Sequence, residues 1–89
     1  MTDITRNTVP LSAVPVGVVA VVSEVVGSGI ISRRLMEMGI VPGVRVRVVK
    51  YAPFGDPIEL RVRGFNLAIR RSEASQVTVL IEVGEEGQS

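Results

Sequence analysis

Apolar and charged residues alternate strictly in two segments near the middle of the chain. In the first, at positions 44–48, every second residue is a valine and the residues between them are arginines. In the second, at positions 58–63, Ile, Leu and Val alternate with Glu and Arg. A period of two places alternate side chains on opposite faces of a strand. The two segments therefore predict a β-hairpin with one buried and one charged face, joined by a loop at 53–57.

A helical period precedes this hairpin. Ile31, Leu35 and Met38 follow the i, i+4, i+7 spacing that lines one face of a helix. Ser28 is placed to cap the first free amides of that helix, and Gly39 stands where a left-handed residue commonly ends one. The segment predicts a short amphipathic helix whose charged residues face mostly water.

The residues after Gly39 predict how the helix connects to the hairpin. Ile40 is placed to pack back on Leu35, the contact that accompanies a Schellman ending. Pro42 supplies the fixed φ of the second turn position and Gly43 the positive φ of the third. Positions 41–44 therefore predict a type II turn that leads straight into a strand.

The remaining pattern predicts three more strands and a helical turn. A mostly apolar run occupies positions 16–26, a shorter segment at 67–70 ends in Arg70, and apolar residues alternate again at positions 77–81. Ser72 is placed to cap a single helical turn over positions 73–75. Five short strands with little aromatic bulk predict a mainly β fold. We expect a small SH3-like barrel with a short helix between strands 1 and 2 and a helical turn before the last strand.

The apolar run from Val16 to Val26 raises the question of what covers it. A strand that is apolar on both faces must be buried on both, but an antiparallel sheet often exposes one of its faces to water. A second copy of the chain, packed on this run, would cover that face, so a homo-oligomer is an open alternative. The longer apolar stretch from Ala13 to Val26 is interrupted by Pro15, Ser23 and Glu24. It is shorter than the roughly 20 residues of a membrane-spanning helix, and no such segment is expected.

Length and composition indicate one small domain. The chain has 89 residues, 46% of them apolar, and contains no internal repeat. We expect a single domain over residues 9–83 with mobile tails at 1–8 and 84–89, because the tails are polar and without a period. With neither a secretion signal nor a cysteine, the expected location is cytoplasmic.

The missing residue types bear on chemistry. The chain has no histidine and no cysteine, which supply most acid–base catalysis and zinc ligation. We therefore expect neither an enzyme nor a bound cofactor, and no small-molecule substrate. The scattered carboxylates of Glu24, Glu37, Asp56 and Glu59 are hard oxygen ligands in type, but beside many arginines such groups are typical of surface ion pairs.

A series of sequence blocks carries a family resemblance over about residues 10–82. The blocks are Leu11-Ser12 followed by Gly17, RLMEMGIVPG at 34–43, GDPI at 55–58, Gly64, and LAIRRSEA at 67–74. Pro-Gly turns and alternating strands are common one by one, but this combination resembles the ferrous iron transport protein A family, FeoA.

The resemblance implies an SH3-like accessory protein of bacterial ferrous iron uptake. It implies binding to the cytoplasmic part of FeoB, the membrane GTPase-permease of that system, and so a position at the inner face of the membrane when bound. The chain also resembles the SH3-like domain that ends some iron-dependent repressors, although no helix-turn-helix precedes the barrel here.

The helix and the basic residues around it are the predicted contact surface. Met36 lies off the apolar stripe of the helix and Phe54 lies at a loop tip, so both are candidate anchors for a partner. The alternatives are that Met36 fills a gap in the core and that Phe54 folds back over the barrel mouth. The predicted partner-binding residues are Arg34, Leu35, Met36, Met38, Phe54, Arg70 and Arg71.

The charge distribution leaves other partners open. Positions 33–71 hold nine basic and three acidic residues, a local charge of +6, although the whole chain carries only +1. Such a surface favours acidic protein patches, anionic lipid or nucleic acid, or it is a solvated face that maintains solubility. A small-barrel nucleic-acid-binding or regulator-type domain is the main alternative. It is less favoured, since only Tyr51, Phe54 and Phe65 are available for base stacking. A third alternative, a domain that binds proline-rich peptides, would need clustered aromatic residues.

Overall fold

The structure, a computed structural model, describes residues 8–27 and 29–82. Ser28 and the segments at 1–7 and 83–89 lie outside the described residues, and with them the predicted helix cap and most of the predicted tails. A single 3-10 turn, Leu11–Ala13, follows the first strand. The strands and helices are, in chain order, β1 (Thr8–Pro10), β2 (Val19–Val25), α1 (Ile30–Glu37), β3 (Arg45–Tyr51), β4 (Ile58–Val62), β5 (Phe65–Ile69), α2 (Arg71–Ala74) and β6 (Val77–Ile81).

All these strands join one antiparallel sheet in the order β1-β6-β2-β3-β4-β5. The register shifts twice, between Val22 and Glu24 in β2 and between Val48 and Lys50 in β3. Irregularities of this kind bend a strand and increase its twist, which lets a small sheet curl around its own core. The mainly β fold predicted from the sequence is confirmed, as is the helix between the first long strands.

The sheet has six strands where the sequence predicted about five. The additional strand is β1, which pairs with β6 from Thr8 opposite Leu80 to Pro10 opposite Thr78. A three-residue strand has no alternation to detect, and it ends in a proline, which is tolerated because β1 is an edge strand. Only the pairing with a distant segment makes it a strand.

The end of α1 has the predicted geometry. Gly39 adopts a φ of 95°, and the Ile40 N–H donates to the carbonyl of Leu35 at 3.0 Å while the Gly39 N–H donates to that of Met36 at 3.0 Å. These two bonds define a Schellman ending. The Val44 N–H then donates to the carbonyl of Val41 at 3.1 Å, which closes the predicted turn.

The start of α2 differs from the prediction. Ser72 was expected to cap this turn, but it is the second residue of the helix, and Arg70 occupies the cap position. The amide of Arg70 instead donates to Oε1 of Glu73 at 2.8 Å. A carboxylate that reaches back from the third helical position satisfies a free amide as well as a capping hydroxyl does, so Glu73 performs the stabilising role assigned to Ser72.

The position of β2 limits how a second copy could contact the apolar run. β2 is hydrogen-bonded to β6 on one side and to β3 on the other, so neither of its edges is free. Ala20 and Val22 point into the core, whereas Val19 and Val21 are half-buried on the outer face. A homo-oligomer through this run would therefore pack on the outer face of the sheet, and it remains a prediction.

The core is entirely aliphatic. The apolar side chains described as buried come from one face of each long strand, from Leu11 and Val14 around the 3-10 turn, from α1 through Leu35, and from α2 through Ala74. Leu35 has no exposed surface. Ile31 and Met38 are half-buried beside it, so the predicted stripe is the face by which α1 packs on the sheet.

Leu35→Ala is expected to lower the free energy of unfolding by about 2–5 kcal/mol, because it opens a cavity in a core too small to rearrange. Urea denaturation followed by circular dichroism measures this loss. The matched control is Met36→Ala, one position along the same helix and 46% exposed, which should cost about 1 kcal/mol or less. Equal losses for both substitutions would contradict the placement of Leu35 in the core.

Candidate partner-binding surface

The helices α1 and α2 and the β3–β4 loop enclose a shallow concavity of about 430 Å³, which we call the helix groove. It combines two exposed arginines, a buried carboxylate and apolar atoms at the end of β5. Segments more than thirty residues apart in sequence meet here, so no local pattern predicts it. The lining residues are Arg34, Asp56, Pro57, Ala68, Ile69, Arg70 and Glu73.

Glu73 is the buried charge of the groove. Its side chain is only 4% exposed, and its Oε2 lies 3.1 Å from Nη1 of Arg34, whose side chain is 58% exposed. The other oxygen, Oε1, accepts the amide of Arg70. A buried carboxylate needs such partners, because an unpaired one would be strongly destabilising. Arg34 thus has one side fixed by Glu73 while the rest of its guanidinium faces solvent.

Glu73 was not among the sequence-predicted site residues. A local signal existed, since a glutamate at the third position of a short helix is half of a capping box. Its partner Arg34 lies 39 positions away in sequence, in α1, and that pairing has no local signature.

Arg70 and Arg71 are neighbours in sequence with different roles. Arg71 ties α2 to the β3–β4 loop: its amide donates to Oδ1 of Asp56 at 3.0 Å and its Nη1 to the carbonyl of Gly55 at 3.5 Å. Its guanidinium also lies 6.0 Å from the ring centroid of Tyr51, within cation–π range. Arg70 is exposed at the groove, and within residues 8–27 and 29–82 no carboxylate lies at ion-pair distance from it.

Phe54 is the most exposed large apolar residue described, at 99%. Its loop is nevertheless held in place. The Gly55 amide donates to the carbonyl of Ala52 at 2.7 Å, the Ala52 amide to that of Pro57 at 3.0 Å, and Arg71 anchors the loop from α2. The ring does not fold back over the barrel. A rigid loop therefore presents an aromatic side chain to solvent beside the groove.

The methionines and Leu35 are placed differently from the arginines. Leu35 is completely buried, so it supports α1 from within and is left out of the proposed contact surface. Met38 is half-buried against the core, and Met36 is 46% exposed. Residues two positions apart in an α-helix are rotated by about 200° around its axis, so Met36 points away from the groove that Arg34 lines. The structure brings together Arg34, Arg70, Arg71 and the loop of Phe54, but not Met36.

The described residues offer little that would hold a metal. No group of three or more His, Cys, Asp or Glu side chains comes together within residues 8–27 and 29–82. In the same part of the chain, no helix has the length and apolar character needed to cross a bilayer.

Comparison with known proteins gives consistent matches. The model of the FeoA domain matches residues 9–81. The chain is 38% identical over 69 residues to the Fe(2+) transport protein A/Fe(2+) transporter FeoB fusion protein of Porphyromonas gingivalis; the match covers 78% of this chain and 8% of that much longer protein.

Solved structures show the same fold. The FeoA-like protein of Clostridium acetobutylicum superposes with a TM-score of 0.82 at 34% identity, covering 91% of this chain and 93% of that one. The zinc complex of FeoA from Stenotrophomonas maltophilia, a prokaryotic SH3 domain protein, matches with a TM-score of 0.68 at 37% identity, over 81% of this chain and 87% of the other. The SH3-like fold predicted from the sequence is confirmed.

Glu73→Ala should lower the free energy of unfolding by about 1–3 kcal/mol, because it leaves the Arg70 amide without its acceptor and removes the partner of Arg34. Glu73→Gln keeps an acceptor oxygen and should cost less. Glu37→Ala, at an exposed position of α1, is the control and should change stability by about 0.5 kcal/mol or less. If chemical denaturation gave the same midpoint for Glu73→Ala and Glu37→Ala, Glu73 would not stabilise the groove.

Proposed function

The chain belongs to the FeoA family, and from this premise we propose that it is a cytoplasmic accessory protein of ferrous iron transport that binds the cytoplasmic part of the FeoB permease. In this proposal the chain performs no chemical step of its own. It acts at the inner face of the membrane while bound and changes the behaviour of its partner by contact.

The observation that supports this proposal most directly is the fusion relative. In the Porphyromonas gingivalis protein, a segment similar to this chain and a FeoB transporter are parts of one polypeptide. A covalent link raises the effective concentration of one module near the other. Two modules joined in this way favour a contact between their separate counterparts.

In this proposal, the contact surface is the helix groove together with Phe54. Aromatic and arginine side chains are enriched among residues that dominate binding energy. Phe54 is 99% exposed on a loop that Arg71 holds, so little ordering of the loop is needed when a partner binds. Arg34 and Arg70 line the adjoining groove and favour an acidic patch on the partner.

Phe54→Ala is expected to weaken binding to the full-length FeoB-type permease of the same organism by about 30-fold or more, the loss typical of a central aromatic anchor. The permease is held in a neutral detergent, and affinity is measured by titration calorimetry. Phe65→Ala is a matched control, because Phe65 is also an exposed phenylalanine, 71% exposed, but lies at another turn of the sheet. Equal affinities for Phe54→Ala and the unmodified chain would exclude this surface, whereas no binding by the unmodified chain would exclude the partner.

Regulation of the permease requires a second property. A bound protein shifts a conformational equilibrium only if its affinities for the two states differ. We expect the dissociation constants for the permease loaded with a non-hydrolysable GTP analogue and with GDP to differ by about fivefold or more, the lower range of allosteric coupling. Identical constants would leave the chain a tether without regulatory effect.

A further inference from the structure

The outer face of the β3–β4 hairpin carries a row of arginines, Arg47, Arg61 and Arg63, which we call the arginine face. Arg47 lies directly opposite Arg61 in the register, and Arg63 follows in the turn after β4. Like charges placed opposite each other across two strands are destabilising. In residues 8–27 and 29–82, no carboxylate lies at ion-pair distance from any of the three. The fold itself therefore leaves this charge uncompensated.

Arg63 adds a second unfavourable feature. It has a φ of +52°, a left-handed conformation that is uncommon outside glycine and asparagine, and it shares a two-residue turn with Gly64 at +84°. Asparagine or glycine would fit this position better. An arginine in this uncommon conformation, two positions after Arg61, indicates that its charge has a use outside the fold.

The surroundings of the arginine face are open and partly apolar. A second concavity of about 380 Å³ lies beside it, lined by Gly17, Arg47, Val48, Val49, Arg61 and Asn66. Nη1 of Arg61 donates to Oδ1 of Asn66 at 3.1 Å, which orients the guanidinium and leaves its other donors free for a ligand. Phe65, 71% exposed, pairs with the buried Val62, so its ring lies on the opposite face of the sheet from Arg61 and Asn66.

We propose that the arginine face binds the surface of an anionic phospholipid bilayer. Clustered basic side chains are attracted to such surfaces, where arginines contact the lipid phosphates. Nucleic acid is disfavoured, because Phe65 lies on the other face of the sheet and leaves the arginines without an aromatic platform for successive bases. A lipid surface needs no such platform.

This inference goes beyond the proposed function and does not depend on it. The β3–β4 loop with Phe54 and the β4–β5 turn with Phe65 are at opposite ends of β4, a five-residue strand. A rise of about 3.4 Å per residue puts these ends roughly 17 Å apart. One end of the domain can therefore contact a protein while the other contacts a bilayer.

The test is sedimentation of the full chain with vesicles of phosphatidylcholine containing about 30% phosphatidylglycerol, beside vesicles of phosphatidylcholine alone. Each basic residue near an anionic surface contributes about fivefold to binding, so Arg47→Gln/Arg61→Gln should bind about 25-fold more weakly. Arg33→Gln/Arg70→Gln makes the same change in net charge on the helical side and should lose only a fewfold. Phe65→Ala and Phe54→Ala should both leave vesicle binding unchanged, whereas Phe54→Ala weakens binding to the permease in detergent.

Arg61→Glu separates binding from folding. It places a carboxylate opposite Arg47, so the melting temperature should rise by about 1–6 °C while vesicle binding falls. A fall in both would assign Arg61 a merely structural role and overturn the proposal. Equal binding to both vesicle types, equal losses for the two arginine pairs, or binding of a single-stranded oligonucleotide in preference to anionic vesicles would also overturn it.

Discussion

The structure depends on a core built from aliphatic side chains alone. Every buried apolar residue described is a leucine, isoleucine, valine or alanine. Because many of these side chains come from alternate positions of short strands, the intervening positions face outward, and several of them are charged. A domain of this size buries only about 60% of its unfolded surface, so the core has no second layer of buried side chains. Tyr51 packs partly buried against this core, whereas the rings of Phe54 and Phe65 are exposed.

The consequence is a domain with an exposed phenylalanine at each end of β4. Phe54 lies in the loop that Arg71 holds from α2, and Phe65 follows the Arg63-Gly64 turn on the face of the sheet opposite to Arg61. Single exposed apolar residues are ordinary, but an exposed aromatic ring on a loop held by an arginine, as at Phe54, is typical of binding surfaces. The same aliphatic core that makes both rings dispensable for folding thus makes both available for contact.

Neighbouring residues were enough to predict the elements that depend on local interactions. The alternation in β3 and β4, the Schellman ending at Gly39 and the Val41–Val44 turn each follow from a few neighbouring residues, and each was predicted correctly. The short β1 and the start of α2 were not, because β1 exists only through its pairing with β6, and the amide of Arg70 at the start of α2 is bound by Glu73 while Ser72 lies within the helix. The burial of Leu35 fits the predicted apolar stripe, but its role as a partner anchor does not.

The separate roles of Arg70 and Arg71 show why a surface is harder to predict than a fold. The two arginines differ because the β3–β4 loop binds Arg71: Oδ1 of Asp56 accepts its backbone amide, and the carbonyl of Gly55 accepts from its guanidinium. Arg71 stabilises the loop that presents Phe54, and Arg70 remains free to meet a partner. Since neither side chain belongs to the core, substitutions at this surface should change what the domain contacts without changing how it folds. Because stability depends on buried side chains and binding specificity depends on loops held by hydrogen bonds, stability and specificity can be altered independently.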